Sequence, residues 1–151
     1  MLDPKFIRDN VEAVQENIRN RNVDASAELV ARLYDERNQA ITELETLRAS
    51  RNENAKRMKA DLDAEERAAL IEEGKRLKSQ IPELEEKVRD IEATLNEEAQ
   101  RIPNLSHPDA PIGNDEEDNA ELKRVGEPTN FTFEPKDHAT IGAELDLIDF
   151  D

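Results

Sequence analysis

Five cationic side chains lie within thirteen consecutive residues in the middle of the chain, at positions 48–60. The five are Arg48, Arg51, Lys56, Arg57 and Lys59, and Glu53 is the only acidic residue among them. Such a stretch is typical of surfaces that bind phosphate groups, because non-specific affinity for nucleic acids comes from lysine and arginine. It also arises by chance on a solvated helix face, and the residues alone give the two interpretations about equal weight.

The other residues that could perform chemistry do not combine into a site. His107 and His138 are the only two histidines, and neither has a neighbour at the spacing of a metal ligand. The acidic run at residues 115–118 lacks the alternating ligands and the closing glutamate of a calcium loop. There is no cysteine, and the four glycines are too scattered for a phosphate-binding loop. We therefore expect no catalytic, cofactor or metal site in this chain, which leaves binding.

The distribution of charge singles out the basic segment. The net charge is −16, with 13 acids and 3 bases in residues 103–151 and 24 acids and 18 bases in residues 1–102. An acidic chain with one basic stretch indicates a partner that binds at that stretch. The sequence also shows no apolar run long enough to span a membrane and no signal peptide, so we expect a cytoplasmic protein.

Two long helical runs must position the basic segment. In each run, apolar residues recur at alternating steps of three and four, the 3.5-residue period of a left-handed coiled coil. The first seam is Val30, Leu33, Arg37, Ala40, Leu44, Leu47, Arg51, Asn54 and Met58. The second is Leu70, Gly74, Leu77, Ile81, Leu84, Val88, Ile91, Leu95, Glu98 and Ile102. The short turn between them, before a helix cap at Asp63, predicts an antiparallel hairpin on the order of 50–60 Å long. Its tip would carry the basic segment.

Shorter elements flank this hairpin. A helix capped by Asp3 should lie across its base and present the apolar stripe Ile7, Val11, Val14 and Ile18. From residue 103 the helical period disappears, and we expect an extended connector with short strands at residues 121–125 and 130–133. A last helix, capped by Asp137, follows. The predicted fold is therefore mainly α, with a helical arm at residues 1–102 and a small extended and β connector at residues 103–151.

The connector carries a pattern of fixed spacings that is far more specific than any short motif. The pattern consists of Ile102-Pro103-Asn104, His107-Pro108, Pro111, Gly113, residues 115–119, Gly126-Glu127-Pro128, residues 133–138, Gly142 and Asp149-Phe150. It resembles the segment that joins the N-terminal helical arm of seryl-tRNA synthetases to their class II catalytic domain. The opening MLDPKFIRDN and the arm residues Arg51, Asn52 and Lys56 fit the same family. The resemblance covers the whole chain.

This resemblance implies that the arm binds tRNA(Ser) by shape, between its long variable arm and its elbow. The resemblance assigns this role to Arg48, Arg51, Asn52, Lys56, Arg57 and Lys59 on the outgoing helix and to Lys75, Arg76 and Lys78 on the returning helix. Glu72 and Glu73 precede the three cations of the returning helix and reduce the positive charge there, which makes their assignment weaker. The resemblance further implies that a catalytic domain beyond this chain attaches serine with ATP and Mg²⁺ and forms the homodimer, so we expect this chain alone to be monomeric.

Two alternatives remain open at this point. A coiled-coil adaptor or prefoldin-like chaperone subunit would share the acidity, the hairpin and the few aromatic residues. It predicts apolar residues towards the tip and oligomerisation through strands. A stand-alone arm with a regulatory role is the second alternative, and the sequence does not separate it from one part of a longer enzyme.

Overall fold

The computed structural model describes residues 1–149, in which the secondary structure is almost entirely helical. Five α-helices occur in this part of the chain: α1 Pro4–Asp9, α2 Val11–Asn20, α3 Ala27–Arg57, α4 Ala64–Arg101 and α5 His138–Glu144. A single 3₁₀ turn spans Glu116–Asp118. The chain divides into two compact units, Met1–Ala120 and a second unit that begins at Glu121. Phe150, the last residue of the connector pattern, lies outside the described residues.

Local capping explains where the two long helices begin. The Ser26 hydroxyl accepts a hydrogen bond from the Leu29 amide at 3.1 Å and starts α3. At the start of α4, Asp63 accepts from the Glu66 amide at 2.8 Å, and the Glu66 carboxylate accepts from the Asp63 amide at 3.3 Å. This reciprocal capping box satisfies two amides that have no partner within the helix. The predicted cap at Asp63 is confirmed.

The two helices pack as the predicted hairpin along the apolar seam. The middle of the arm is held by a buried cluster, which we call the arm cluster: Ala40, Leu44, Leu77, Ile81, Leu84 and Val88. Nearer the base lies a second cluster, the base cluster: Ile7, Val14, Ile18, Ala27, Val30, Leu33, Leu95, Ala99 and Ile102. Ile91 packs against both clusters. Near the base the seam deviates from the prediction, because Ala99 is fully buried and Glu98 instead pairs with Arg101 at 3.2 Å.

The N-terminal helix is broken, which corrects the prediction of one continuous helix. Asn10 separates α1 from α2 with a backbone conformation outside the helical region, at φ −136° and ψ 39°. Its side-chain amide donates to the Phe6 carbonyl at 2.9 Å, the carbonyl that an uninterrupted helix would use for the Asn10 backbone N–H. This local bond competes with helix continuation. Both short helices still pack against the base of α3, as their apolar stripe predicts.

The distal end of the arm is held by fewer apolar contacts. Beyond the arm cluster, Leu70 is the only buried residue of the hairpin in the described chain. Asn54 donates from its side-chain amide to the Leu70 carbonyl at 3.0 Å, a polar link between the two helices. Gly74 lies opposite, and a Cβ atom built there would meet only the Asn54 side-chain oxygen, at 3.6 Å. That distance is an ordinary van der Waals contact.

Gly74→Ala is therefore expected to stabilise the hairpin by about 1 kcal/mol, because alanine costs less conformational entropy than glycine in a helix interior. Urea unfolding followed by circular dichroism would measure the change. A loss of stability would mean that the two helices approach each other more closely at this position than the Asn54 contact indicates.

A buried asparagine attaches the start of the connector to α2. Asn17 is 8% exposed, and its side-chain oxygen accepts a hydrogen bond from the Ser106 amide at 2.8 Å. Its side-chain NH₂ group points to the Asn104 carbonyl at 3.4 Å, which also accepts from the Arg21 guanidinium at 2.9 Å. Residues 104–106 therefore continue the first unit although they follow the last helix of the arm.

The second unit contains α5 but none of the predicted strands. No β-strand is found within residues 1–149, so the strands expected at residues 121–125 and 130–133 are not formed. Their apolar side chains have little to pack against, as Leu122 is 97% and Phe133 65% exposed. A strand needs a paired neighbour and a covered face, and this segment has neither. The predicted cap of α5 is confirmed, with Asp137 accepting from the Thr140 amide at 2.8 Å.

Candidate nucleic-acid interface

All nine side chains that the sequence predicts to contact RNA are exposed on the distal part of the hairpin. Arg48, Arg51, Asn52, Lys56 and Arg57 occupy the last three turns of α3, and Lys59 lies in the turn that follows. Lys75, Arg76 and Lys78 lie on α4. Arg51 is exposed although it falls on the predicted seam. The structure thus gathers these residues at one end of the arm.

Several of these cations are compensated by carboxylates. Arg48 pairs with Glu85 across the hairpin, with 2.7 Å between the guanidinium and carboxylate. On α4, Lys75 pairs with Glu72 at 2.7 Å, and Arg76 forms two hydrogen bonds to Glu73, at 2.7 and 2.9 Å. The Arg76 hydrogen bonds hold the pKa of the Glu73 carboxyl below its ordinary value, so this pair stays ionised at neutral pH. These pairs reduce the charge that the cations present to a polyanion.

Other cations have no such compensation. Within the described residues, Arg51, Arg57, Lys59 and Lys78 form no ion pair, and Lys56 lies at the 4.0 Å limit from Glu53. Arg67, which the sequence analysis did not include, is also exposed and forms no ion pair in this part of the chain. The sequence could have identified Arg67 by its spacing, because it precedes Lys78 by eleven residues, or about three helical turns, and so lies on the same side of the helix. These unpaired cations are the groups most available to phosphate.

An acidic turn bounds the basic region at the end of the arm. Asp61, Asp63, Glu65 and Glu66 lie within six residues, immediately after the cationic stretch. Asp63 and Glu66 also form the cap of α4, so two of these carboxylates are fixed by backbone hydrogen bonds. A polyanion would be repelled at the end of the arm and attracted further along its sides.

The described residues contain no group of three or more His, Cys, Asp or Glu side chains that could hold a metal ion. His107 is exposed in the connector, where its ring nitrogen accepts from the Asp109 amide at 3.2 Å. None of the helices in this part of the chain is long and apolar enough to cross a membrane.

Comparison with known proteins identifies where such an arm occurs. The family model described as the seryl-tRNA synthetase N-terminal domain matches residues 1–106. A serine–tRNA ligase of Treponema denticola is 46% identical and one of Rubrobacter xylanophilus 48% identical, each over all 151 residues of this chain. The chain spans only 36% of the length of either relative.

A solved structure shows the same fold. The crystal structure of a seryl-tRNA synthetase from Pyrococcus horikoshii, complexed with ATP, matches with a TM-score of 0.68 and 28% sequence identity. The match covers 78% of this chain and 27% of the Pyrococcus chain. The likeness therefore concerns one part of that enzyme.

Proposed function

Because this chain belongs to the seryl-tRNA synthetase N-terminal domain family, we propose that it is the tRNA-binding arm of a serine–tRNA ligase. The arm recognises tRNA(Ser) through its long variable arm and elbow, so that a catalytic domain can attach serine to that tRNA. The contacts come from Arg48, Arg51, Asn52, Lys56, Arg57 and Lys59 on the α3 side, and from Lys75, Arg76 and Lys78 on α4.

The single observation that carries this proposal is the position of the unpaired cations. They lie along the distal part of the hairpin, between the acidic turn at its end and a proximal part with more acids than bases, and they form no ion pair in the described residues. A double-stranded RNA exposes phosphates and 2′-hydroxyls rather than base edges, so an extended basic surface can distinguish it by shape. A long variable arm offers such a duplex where a short one does not.

The remaining functions belong to the full-length enzyme. We assign ATP and Mg²⁺ to the part of the enzyme that this chain does not span, because the Pyrococcus horikoshii enzyme, which is complexed with ATP, matches this chain over only 27% of its own length. We propose that the enzyme acts in the cytoplasm as a homodimer formed through that part. The present chain would then be monomeric.

The prefoldin-like alternative finds no support in the structure. Such a subunit would use apolar residues near the tip and strands for assembly, whereas the last turns of this hairpin are charged and residues 1–149 form no strand. A stand-alone regulatory arm would bind the same RNA, and it differs from the present proposal only in what the arm is attached to.

The proposal predicts selective and salt-dependent RNA binding. The chain should bind a tRNA with a long variable arm more tightly than one with a short arm, and log Kd should rise steeply with log salt because phosphate contacts release counterions. Replacing Arg51 and Lys56 together by glutamate should weaken binding about tenfold or more and reduce the salt dependence by about two ions. Fluorescence anisotropy over a range of salt concentrations would measure both quantities.

A matched control separates specific contacts from overall charge. Arg19 and Lys87 are exposed cations away from the tip, without an ion pair in the described part of the chain. Arg19→Glu combined with Lys87→Glu changes the net charge equally and should affect binding far less. Equal losses in the two double variants, or no preference for the long-armed tRNA, would refute the tip as the binding site.

A further inference from the structure

The two sides of the hairpin differ in their charge. We propose that RNA contacts only one of them, the side that carries Arg48 and Lys59 on α3 and Arg67 and Lys78 on α4. The inference rests on the proposed function and refines it. It adds Arg67 to the contact surface and removes Arg57 and Arg76, which lie on the other side.

Helical spacing defines the first stripe of this side on α3. Ile41, Arg48 and Asn52 follow one another on α3 at steps of seven and four residues, and Lys59 comes seven residues later, in the turn that follows the helix. Residues at these steps lie along one line of a helix surface. The line runs from the middle of the arm towards its turn, and Lys59 lies just beyond its end.

A second stripe runs along α4. Arg67, Ile71, Lys78 and Glu85 are separated by four, seven and seven residues, so they also share one line. Arg67 and Lys78 form no ion pair in the described chain. Ile71 lies between them and is 44% exposed, an apolar side chain suited to contact a ribose or a base.

Contacts between the helices place the two stripes side by side. Arg48, from the α3 stripe, pairs with Glu85, from the α4 stripe, at 2.7 Å. A shallow groove on this side is lined by residues of both helices, among them Ile41, Arg48 and Glu85. We call the surface formed by the two stripes the Arg48 face.

The opposite side of the seam has its own groove. Glu43 and Leu47 of α3 line it together with Arg76, Gln80, Glu83 and Lys87 of α4. Arg57 follows Glu43 at two steps of seven residues and therefore lies on this side. We call this surface the Arg76 face.

The charge balance of the two faces identifies which of them is suited to bind RNA. With the groove residues Glu45 and Arg89 included, the Arg48 face holds five cations and two carboxylates, and one of these carboxylates, Glu85, is engaged by Arg48. The Arg76 face balances Arg57, Arg76 and Lys87 against Glu43, Glu73 and Glu83, and Arg76 is already bonded to Glu73. Phosphate binding needs cations that neutralise it without an adjacent repulsive carboxylate. Of the two faces, only the Arg48 face has an excess of cations, and it holds them over several turns.

Matched variants on the two faces test the inference. Arg67→Gln with Lys78→Gln neutralises two cations of the Arg48 face, and Arg57→Gln with Arg76→Gln neutralises two of the Arg76 face. The first pair should weaken binding of a long-armed tRNA about tenfold or more and lower the salt slope by about two ions. The second pair should change Kd by less than about twofold. Circular dichroism should show the same helix content in both.

The outcomes also separate this inference from the proposed function. If the two pairs weaken binding equally, or the Arg76-face pair weakens it more, the assignment of the face is wrong while the arm remains an RNA-binding element. If neither pair alters binding and the wild-type chain does not prefer the long-armed tRNA, both proposals are refuted.

Lysine acetylation provides a second test with the unmodified sequence. Bound RNA should slow the acetylation of Lys59 and Lys78 severalfold, whereas Lys87 on the Arg76 face should react at the same rate with and without RNA. Mass spectrometry of the acetylated chain would report all three lysines in one experiment. Equal protection of Lys87 would overturn the inference.

Discussion

Leu77→Ala is expected to lower the free energy of unfolding by about 2–5 kcal/mol, at the upper end of that range. Leu77 is 0% exposed and belongs to the arm cluster, which is the apolar core of the hairpin beyond its base. The substitution removes buried methyl groups and leaves a cavity between two helices whose distal part has, in the described residues, Leu70 as its only buried side chain and the Asn54 bond as a polar link. Guanidinium chloride unfolding, followed by circular dichroism, would measure the change.

The matched control is Ile71→Ala, six residues earlier on the same helix. Ile71 is 44% exposed and outside both buried clusters, so its truncation should cost less than about 0.5–1 kcal/mol. Similar losses for the two variants would show that the register of α4 against α3 is wrong.

Asn17→Ala should have the next largest effect on stability, a loss of about 1–3 kcal/mol. The Asn17 oxygen is the acceptor for the Ser106 amide, and its removal leaves that donor without its partner. The Asn104 carbonyl keeps the Arg21 guanidinium, so one attachment of the connector survives. We therefore expect the connector to loosen while the hairpin stays folded. Hydrogen exchange of the Ser106 amide would accelerate, and denaturant unfolding would give the free energy.

Asn20→Ala serves as its control. Asn20 lies on the same helix and its side chain makes no hydrogen bond in the described part of the chain, so this change should leave Ser106 exchange unaltered. Unchanged protection of Ser106 in the Asn17 variant would mean that the connector is held by other contacts.

Features set by local sequence could be predicted well. The heptad spacing of residues such as Leu44 and Leu84 gives the hairpin and its register, because only one face of each helix is apolar enough to pack. Helix starts at Asp3, Asp63 and Asp137 follow from a carboxylate that can accept from amides in the first turn.

Features that depend on competition or on distant partners could not be predicted in this way. The break at Asn10 arises because its side-chain amide donates to a carbonyl that would otherwise accept from the helix backbone. Every asparagine can form such a bond, but few do. Asn17 appears in sequence as one more polar residue, and its buried role depends on a segment almost ninety positions away. The predicted strands do not form, because a suitable local composition does not supply a neighbouring strand to pair with.

The candidate site also combines features that the sequence predicts with features that it does not. The predicted hairpin gives the positions of the basic residues at the end of the arm. Which of them pair with carboxylates depends on contacts between helical turns and between the two helices. Glu85 is far from Arg48 in the sequence, and only the packed register brings the two within 2.7 Å. Arg67 was missed because it follows an acidic turn, which masks its charge when residues are counted along the chain.

The arm cluster begins at Leu44 and Leu77, and the 32 residues between them include every basic residue of the candidate interface except Lys78. A hairpin with apolar side chains beside its turn can close there first and zip towards its base. This chain must instead close a loop of that length before it gains its first well-packed contact, an entropic cost that grows only slowly with loop size. We therefore expect nucleation in the middle of the arm, with the distal end of the hairpin the last part of it to fold and the first to unfold.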